Sequence, residues 1–197
     1  MPKIAAGSIP EHVARQEAAV VEAAIRLFNE RGIHDVSLAD IAKEVGLARN
    51  SLYRYFPDKS HLLAMWFRVA IAPLVEASDE IASGPGTPPE KLLRWVDTQF
   101  EFLTAPEQEA LLVASGEAPA LPAEVRGDFD SGHRRLYASL DQILEGCLSG
   151  RADRHREVLA AFLAAVVRSA AEQVRAGADA DSVRGELHRL VDASIAP

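Results

Sequence analysis

The sequence predicts an all-α protein. Ala and Leu dominate its apolar residues, helix caps and breakers cut it into about nine segments, and no stretch alternates apolar and polar residues as a half-buried strand would. With 197 residues, 48% hydrophobic and 25% charged, the chain has the composition of a packed globular protein and the length to bury a substantial core.

The first helix opens at Ser8-Ile9-Pro10-Glu11, which reads as a capping box with proline in the first turn. Val20, Val21, Ala24, Ile25, Leu27 and Phe28 then recur at helical spacing as one apolar stripe, and Gly32 ends the run. Ser37 caps a short helix from Leu38 to Val45, with Asp40 near the positive end of its dipole. Gly46 breaks the chain before a second short helix, from about Arg49 to Tyr55. Pro57-Asp58 stops that helix and starts a long one, Lys59 to about Ala82, in which Pro73 lacks the helical N–H and predicts a kink.

Ser83-Gly84-Pro85-Gly86 reads as a linker. Thr87-Pro88-Pro89-Glu90 is a further capping box, opening a helix to about Leu103 with Leu92, Trp95, Val96, Gln99 and Phe100 on its inner face. Thr104-Ala105-Pro106-Glu107 starts a short helix to about Ser115, and residues 116–122 form a loop. The next helix, about Ala123 to Leu148, is weakened by Gly127 and Gly132. Asp153 to Ala176, ended by Gly177, and Ala180 to about Ser194, capped by Asp179, close the chain.

The net charge of −8 is unfavourable for a partner made of phosphates, but it is unevenly spread. Residues 1–60 hold eight Lys/Arg and eight Asp/Glu, whereas residues 61–197 hold thirteen against twenty-one. The N-terminal part is therefore neutral, without the strongly basic footprint of many DNA-binding modules.

Residues 37–56, SLADIAKEVGLARNSLYRYF, have the anatomy of a helix-turn-helix. Leu38, Ile41, Ala42, Val45, Leu47 and Leu52 lock two short helices together, and Gly46 permits the turn. Arg49, Asn50, Ser51, Tyr53, Arg54 and Tyr55 are left on or near the second helix. Arg49 suits guanine and Asn50 adenine by bidentate pairing, while hydroxyls on Ser51, Tyr53 and Tyr55 suit phosphate oxygens. Lys59 adds a point charge at the start of the next helix. Phe56 reads as core, Arg54 as either a surface residue or a DNA contact, and Asp40 and Glu44 as turned away from phosphates.

The block from about Ala14 to Leu63 resembles the DNA-binding domain of the TetR family of transcriptional regulators. The likeness lies in a first helix ending FNERG, then SLADIAKEVGLARNSLYRYFPDKSHLL, whose aromatic-rich end followed by Pro, a polar residue and Lys is the most specific part. The resemblance implies base contacts from Arg49, Asn50 and Ser51 and phosphate contacts from Ser37, Tyr53, Tyr55 and Lys59. Ala48 stands where the family often has a capping Ser, Asn50 where Gly is common, and Ala39 where some members are basic. These departures bear on the operator sequence rather than on the fold.

The resemblance further implies that the remaining helices enclose a ligand pocket and that the last two form a dimer interface. The apolar stripe along 158–170 independently asks for cover on more than one side, which a four-helix bundle of two copies supplies. Leu159, Phe162, Leu163, Val166 and Val167, with Leu187, Leu190 and Val191, are the interface candidates. Candidates for the pocket are Trp66, Phe67, Trp95, Phe100, Phe102, Phe129, His133 and Tyr137, any of which can instead be ordinary core. The expected organisation is a tail at 1–8, a helix-turn-helix domain at 9–57 and a ligand-binding and dimerisation domain at 58–197.

Function then reads as a ligand-responsive DNA-binding regulator of the repressor class, acting as a homodimer on a pseudo-palindromic operator; the alternative is a helical small-molecule or protein-interaction module with little DNA affinity. Enzymatic motifs are missing: no Gly-rich phosphate loop, Gly-x-Ser-x-Gly or HExxH occurs. Cys147 is alone, so neither an intramolecular disulfide nor a cysteine-built zinc site is possible, and no cofactor or metal is expected. No run of eighteen uncharged apolar residues and no signal-peptide core occur, so the expected location is the cytoplasm.

Overall fold

The structure, a computed structural model, describes residues 9–109, 111–112, 123–148 and 153–196. Among them stand eight helices and no strand: α1 (Ile9–Arg31), α2 (Leu38–Glu44), α3 (Arg49–Tyr55), α4 (Lys59–Ser83), α5 (Pro88–Thr104), α6 (Ala123–Cys147), α7 (Asp153–Arg175) and α8 (Ala180–Ile195). The expected short helix after α5 begins as a 3-10 turn, Pro106–Gln108. The capping Ser8 and the 116–122 loop lie outside the described residues.

Helix starts fall where the caps direct them. The Asp58 carboxylate accepts from the His61 N–H at 3.0 Å, the Asp179 carboxylate from Ser182 N–H at 2.9 Å, and Glu90 from Thr87 N–H at 2.8 Å. Each satisfies a backbone donor that the first helical turn leaves without a partner.

Two apolar clusters form the interior. The first joins Val20, Ala24, Leu27 and Phe28 of α1 to Ile41 of α2, Leu52 of α3, and Leu62, Trp66, Phe67, Ile71 and Val75 of α4. The Phe28 and Trp66 rings pack with centroids 5.3 Å apart. The second joins Ala82, Leu92, Trp95 and Phe100 to Leu140 and Leu144 of α6, Leu163 and Val167 of α7, and Leu187 and Val191 of α8. Complete burial of a Leu or Phe side chain contributes about 1.5–3 kcal/mol, so either cluster is a substantial stabilising unit.

The sixth helix runs along α4, and Gly132 explains how closely. A β-carbon there would lie 2.1 Å from Ile71 Cδ1, so the glycine that weakens the helix in isolation is what admits Ile71. The fourth helix, by length and composition apolar enough to cross a membrane, packs its apolar residues into the two clusters. It continues through Pro73, whose ring is exposed.

Candidate DNA-reading surface and sensor cavity

Ile41, Ala42 and Leu52 are buried where α2 meets α3, and Gly46 takes φ 67° in the turn between them. That left-handed backbone conformation favours glycine, so the sharp turn and the glycine belong together. With Leu52 as its buried anchor, α3 turns Arg49, Asn50, Tyr53 and Arg54 outward, and leaves Ser51 and Tyr55 half-buried. Tyr55 packs against the first cluster, so its ring is partly core and its phenol tip is the part left to reach a polar partner.

Arg49 is parked in the free protein. Its Nη2 and Nε donate to the Tyr53 hydroxyl at 3.0 and 3.3 Å, and its guanidinium lies 5.5 Å from the Tyr53 ring centre. Glu44 is paired with Arg26 at 2.5 Å. Asp40 accepts from the Ser37 hydroxyl at 2.5 Å and from the Ser37 N–H at 2.9 Å, which holds its carboxyl below the usual carboxylate range. Both acids thus have partners within the protein.

Two expected phosphate ligands prove to have intramolecular work. The Ser37 hydroxyl gives its single proton to Asp40 and also accepts from Asp40 N–H at 3.2 Å, so it caps α2. Lys59 donates to the Ile33 carbonyl and lies 5.6 Å from the Phe28 ring centre, tying the start of α4 to the α1–α2 connection. Its ammonium is a staple first; any phosphate contact is additional. Sequence reading saw the charge but had no means of seeing the carbonyl.

A cavity of about 410 Å³ opens between α4, α5, α6, α7 and the Leu111–Leu112 segment. Of the residues expected there, Phe67, Trp95, Phe102, His133 and Tyr137 line it. Trp66 and Phe100 do not: Trp66 packs on Phe28 in the first cluster, and Phe100 lies under the Arg184 guanidinium at 5.3 Å, toward α8. The Phe129 side chain lies outside the described ones. Ile71, Leu74, Gln99, Leu103, Leu111, Leu112, Leu136, Ala164, Val167, Arg168, Glu172 and Arg175 complete the wall. The one sequence signal for the charged members is their i, i+4, i+7 spacing, which extends the apolar stripe of α7 as a polar one.

His133 stacks on Phe67, ring centres 5.3 Å apart. Gln99 is buried and donates to the Ser78 hydroxyl at 3.1 Å, and Ser78 donates onward to the Leu74 carbonyl at 2.7 Å. Asp79 accepts from Arg135 at 2.9 Å and from the Ser139 hydroxyl, which keeps its carboxyl below the ordinary range. These bonds fasten the second half of α4 to α5 and α6.

The interface candidates divide. Leu163, Val167, Leu187 and Val191 are buried in the second cluster, so they are core of the protomer itself, not surface offered to another. Leu159 and Val166 are half-buried against that cluster. Phe162 at 64% and Leu190 at 57% are exposed, and Val158, which was not among the candidates, joins them at 45%. A helical stripe reports apolarity at a given angle; it does not say which neighbour provides the cover.

An exposed polar helix held by a glycine turn on an apolar three-helix base, ahead of a helical body with a cavity, defines a helix-turn-helix DNA-binding protein. Residues 20–65 match the family described as bacterial regulatory proteins, tetR family. The chain is 30% identical over 155 residues to the HTH-type transcriptional regulator BetI of Yersinia pestis, spanning 75% of this chain and 73% of that one. It is 28% identical over 132 residues to the fatty acid metabolism regulator protein of Bacillus subtilis, spanning 66% and 68% respectively. A transcriptional regulator from Saccharomonospora viridis, solved in complex with choline, shares the fold with a TM-score of 0.72 at 21% identity, over 91% of this chain and 96% of that one. The chain belongs to the TetR family and is a transcriptional regulator.

Proposed function

We propose that two copies join through the α7 and α8 faces bearing Val158, Phe162 and Leu190, and present their α3 helices to successive major grooves of a pseudo-palindromic operator. Bound there in the cytoplasm, the dimer represses by excluding polymerase, and a small molecule entering the cavity releases it. The observation that carries this reading is the outward face of α3, where Arg49 and Asn50 stand exposed beside Tyr53 while Leu52 holds the helix to its base. Arg49, Asn50 and Ser51 read base edges; Tyr53 and Tyr55 position the helix on phosphates, with Ser37 and Lys59 buttressing the frame.

The fourth helix supports a route from cavity to DNA. Its first half packs on α1 through Trp66 and Phe28, and its second half is bonded to α5 and α6 through Ser78 and Asp79. The cavity residues Phe67, Ile71 and Leu74 bracket Pro73, which gives the Val69 carbonyl no helical partner. A ligand that fits one arrangement of α4 better than another shifts the separation of the two α3 helices.

Gel-shift titration of the purified protein against fragments of its source genome tests the reading. Specific retention, weakened by salt, is expected, with protected half-sites about 34–36 Å apart. Failure to retain any duplex at low ionic strength, or a single asymmetric half-site, sinks it.

A further inference from the structure

We infer that the cavity takes an amphipathic carboxylate, an apolar body inside the bundle with its anionic head at Arg168; this rests on reading the cavity as the effector site. The body of the cavity is apolar, walled by Phe67, Ile71, Leu74, Phe102, Leu111 and Leu136. Among the described lining residues, the carboxylate and guanidinium groups all come from α7. Arg168, Glu172 and Arg175 recur along α7 at intervals of four and three residues, on one helical face, and place two guanidiniums against one carboxylate. Arg175 spends one N–H on the Leu103 carbonyl at 2.7 Å, whereas Arg168 makes no hydrogen bond or ion pair with any described residue.

That balance selects the sign of the head group. A carboxylate meets a planar guanidinium in bidentate geometry, and Glu172 alone does not cancel two arginines. A quaternary ammonium would face both arginines, and one face of the Phe67 ring is already stacked by His133. Because Arg168 is exposed, it stands at the mouth, so the head is only partly desolvated and its charge-assisted bond is worth about tenfold in affinity.

The test compares decanoate, decanol and decyltrimethylammonium as ligands of the full chain, by tryptophan fluorescence and thermal shift at fixed salt. Decanoate is expected to bind about tenfold more tightly than decanol, and Arg168→Gln, an exposed change, to abolish that advantage while leaving decanol binding unaltered. Tighter binding of the ammonium, an undiminished carboxylate preference in Arg168→Gln, or no binding by any of the three overturns the inference. Gel shifts run alongside separate the two readings. Decanoate that binds without releasing DNA leaves the ligand class standing and defeats the effector role; release by a different compound that decanoate cannot displace does the reverse.

Discussion

Replacing Arg49 by Ala tests the reading surface at its most specific point. A bidentate arginine–guanine pair discriminates by about 1–3 kcal/mol. In the free protein the guanidinium already rests on Tyr53, 5.5 Å from the ring centre and bonded to the hydroxyl at 3.0 Å. Leaving an exposed cation–π contact costs about 0.5–1 kcal/mol. Mid-range values, about 2 less about 0.8, leave about 1.2 kcal/mol per half-site, and the proposed symmetric dimer counts it twice, giving roughly sixtyfold in Kd. Fluorescence anisotropy on a selected operator at fixed salt measures it, repeated on duplexes with single base changes. The variant should lose affinity and also lose preference at one position in each half-site. If Arg49→Ala retained affinity within twofold and the same base preference, the guanidinium would belong to Tyr53 and not to DNA.

Ser78→Ala should strand the buried Gln99 amide, at a cost of about 1–3 kcal/mol and a fall in Tm of about 3–10 °C; an unchanged melting curve would show that the amide finds another acceptor. Phe162→Glu, placing a charge on the exposed α7 face, should convert dimers to monomers in light scattering while far-UV circular dichroism stays the same; persistent dimers would move the interface elsewhere. Acid should weaken the fold through its caps. Asp40 and Asp179 are held below their ordinary value of 3.8 by the Ser37 and Ser182 bonds, and Glu90 below 4.5 by the Thr87 N–H. Depressed carboxyl groups stabilise the fold above those values and lose that contribution as pH falls through and below them, so the urea midpoint should be level from about pH 7 to 5 and drop below about pH 4. A midpoint that rises on acidification contradicts the assignment.

Much of this was legible in the residues because the signals were local. Ser37, Asp58, Thr87 and Asp179 announce helix starts by chemistry that acts within one turn, and Gly46 announces the bend between α2 and α3. The outward set on α3 follows from Leu52 pointing in, since helical spacing then fixes the opposite face. What escaped depends on partners distant in sequence. Adjacent Trp66 and Phe67 differ by about 100° around α4, so one meets Phe28 and the other the cavity, and only the packing of α1 and α6 decides which. Leu163 and Phe162 part in the same way, one into the second cluster and one to the surface. Arg168 and Glu172 have a cavity to line only because α4, α5 and α6 close opposite α7.

The fourth helix has a thermodynamic consequence of its own. It furnishes Leu62, Trp66, Ile71 and Val75 to one cluster and Ala82 to the other, so neither can melt without withdrawing a wall from its neighbour. Heating should therefore give a single calorimetric transition whose van 't Hoff and measured enthalpies agree. A fragment ending at residue 58 would expose Phe28, Ile41 and Leu52 and should not fold alone: the first three helices are inseparable from the helix that completes their core.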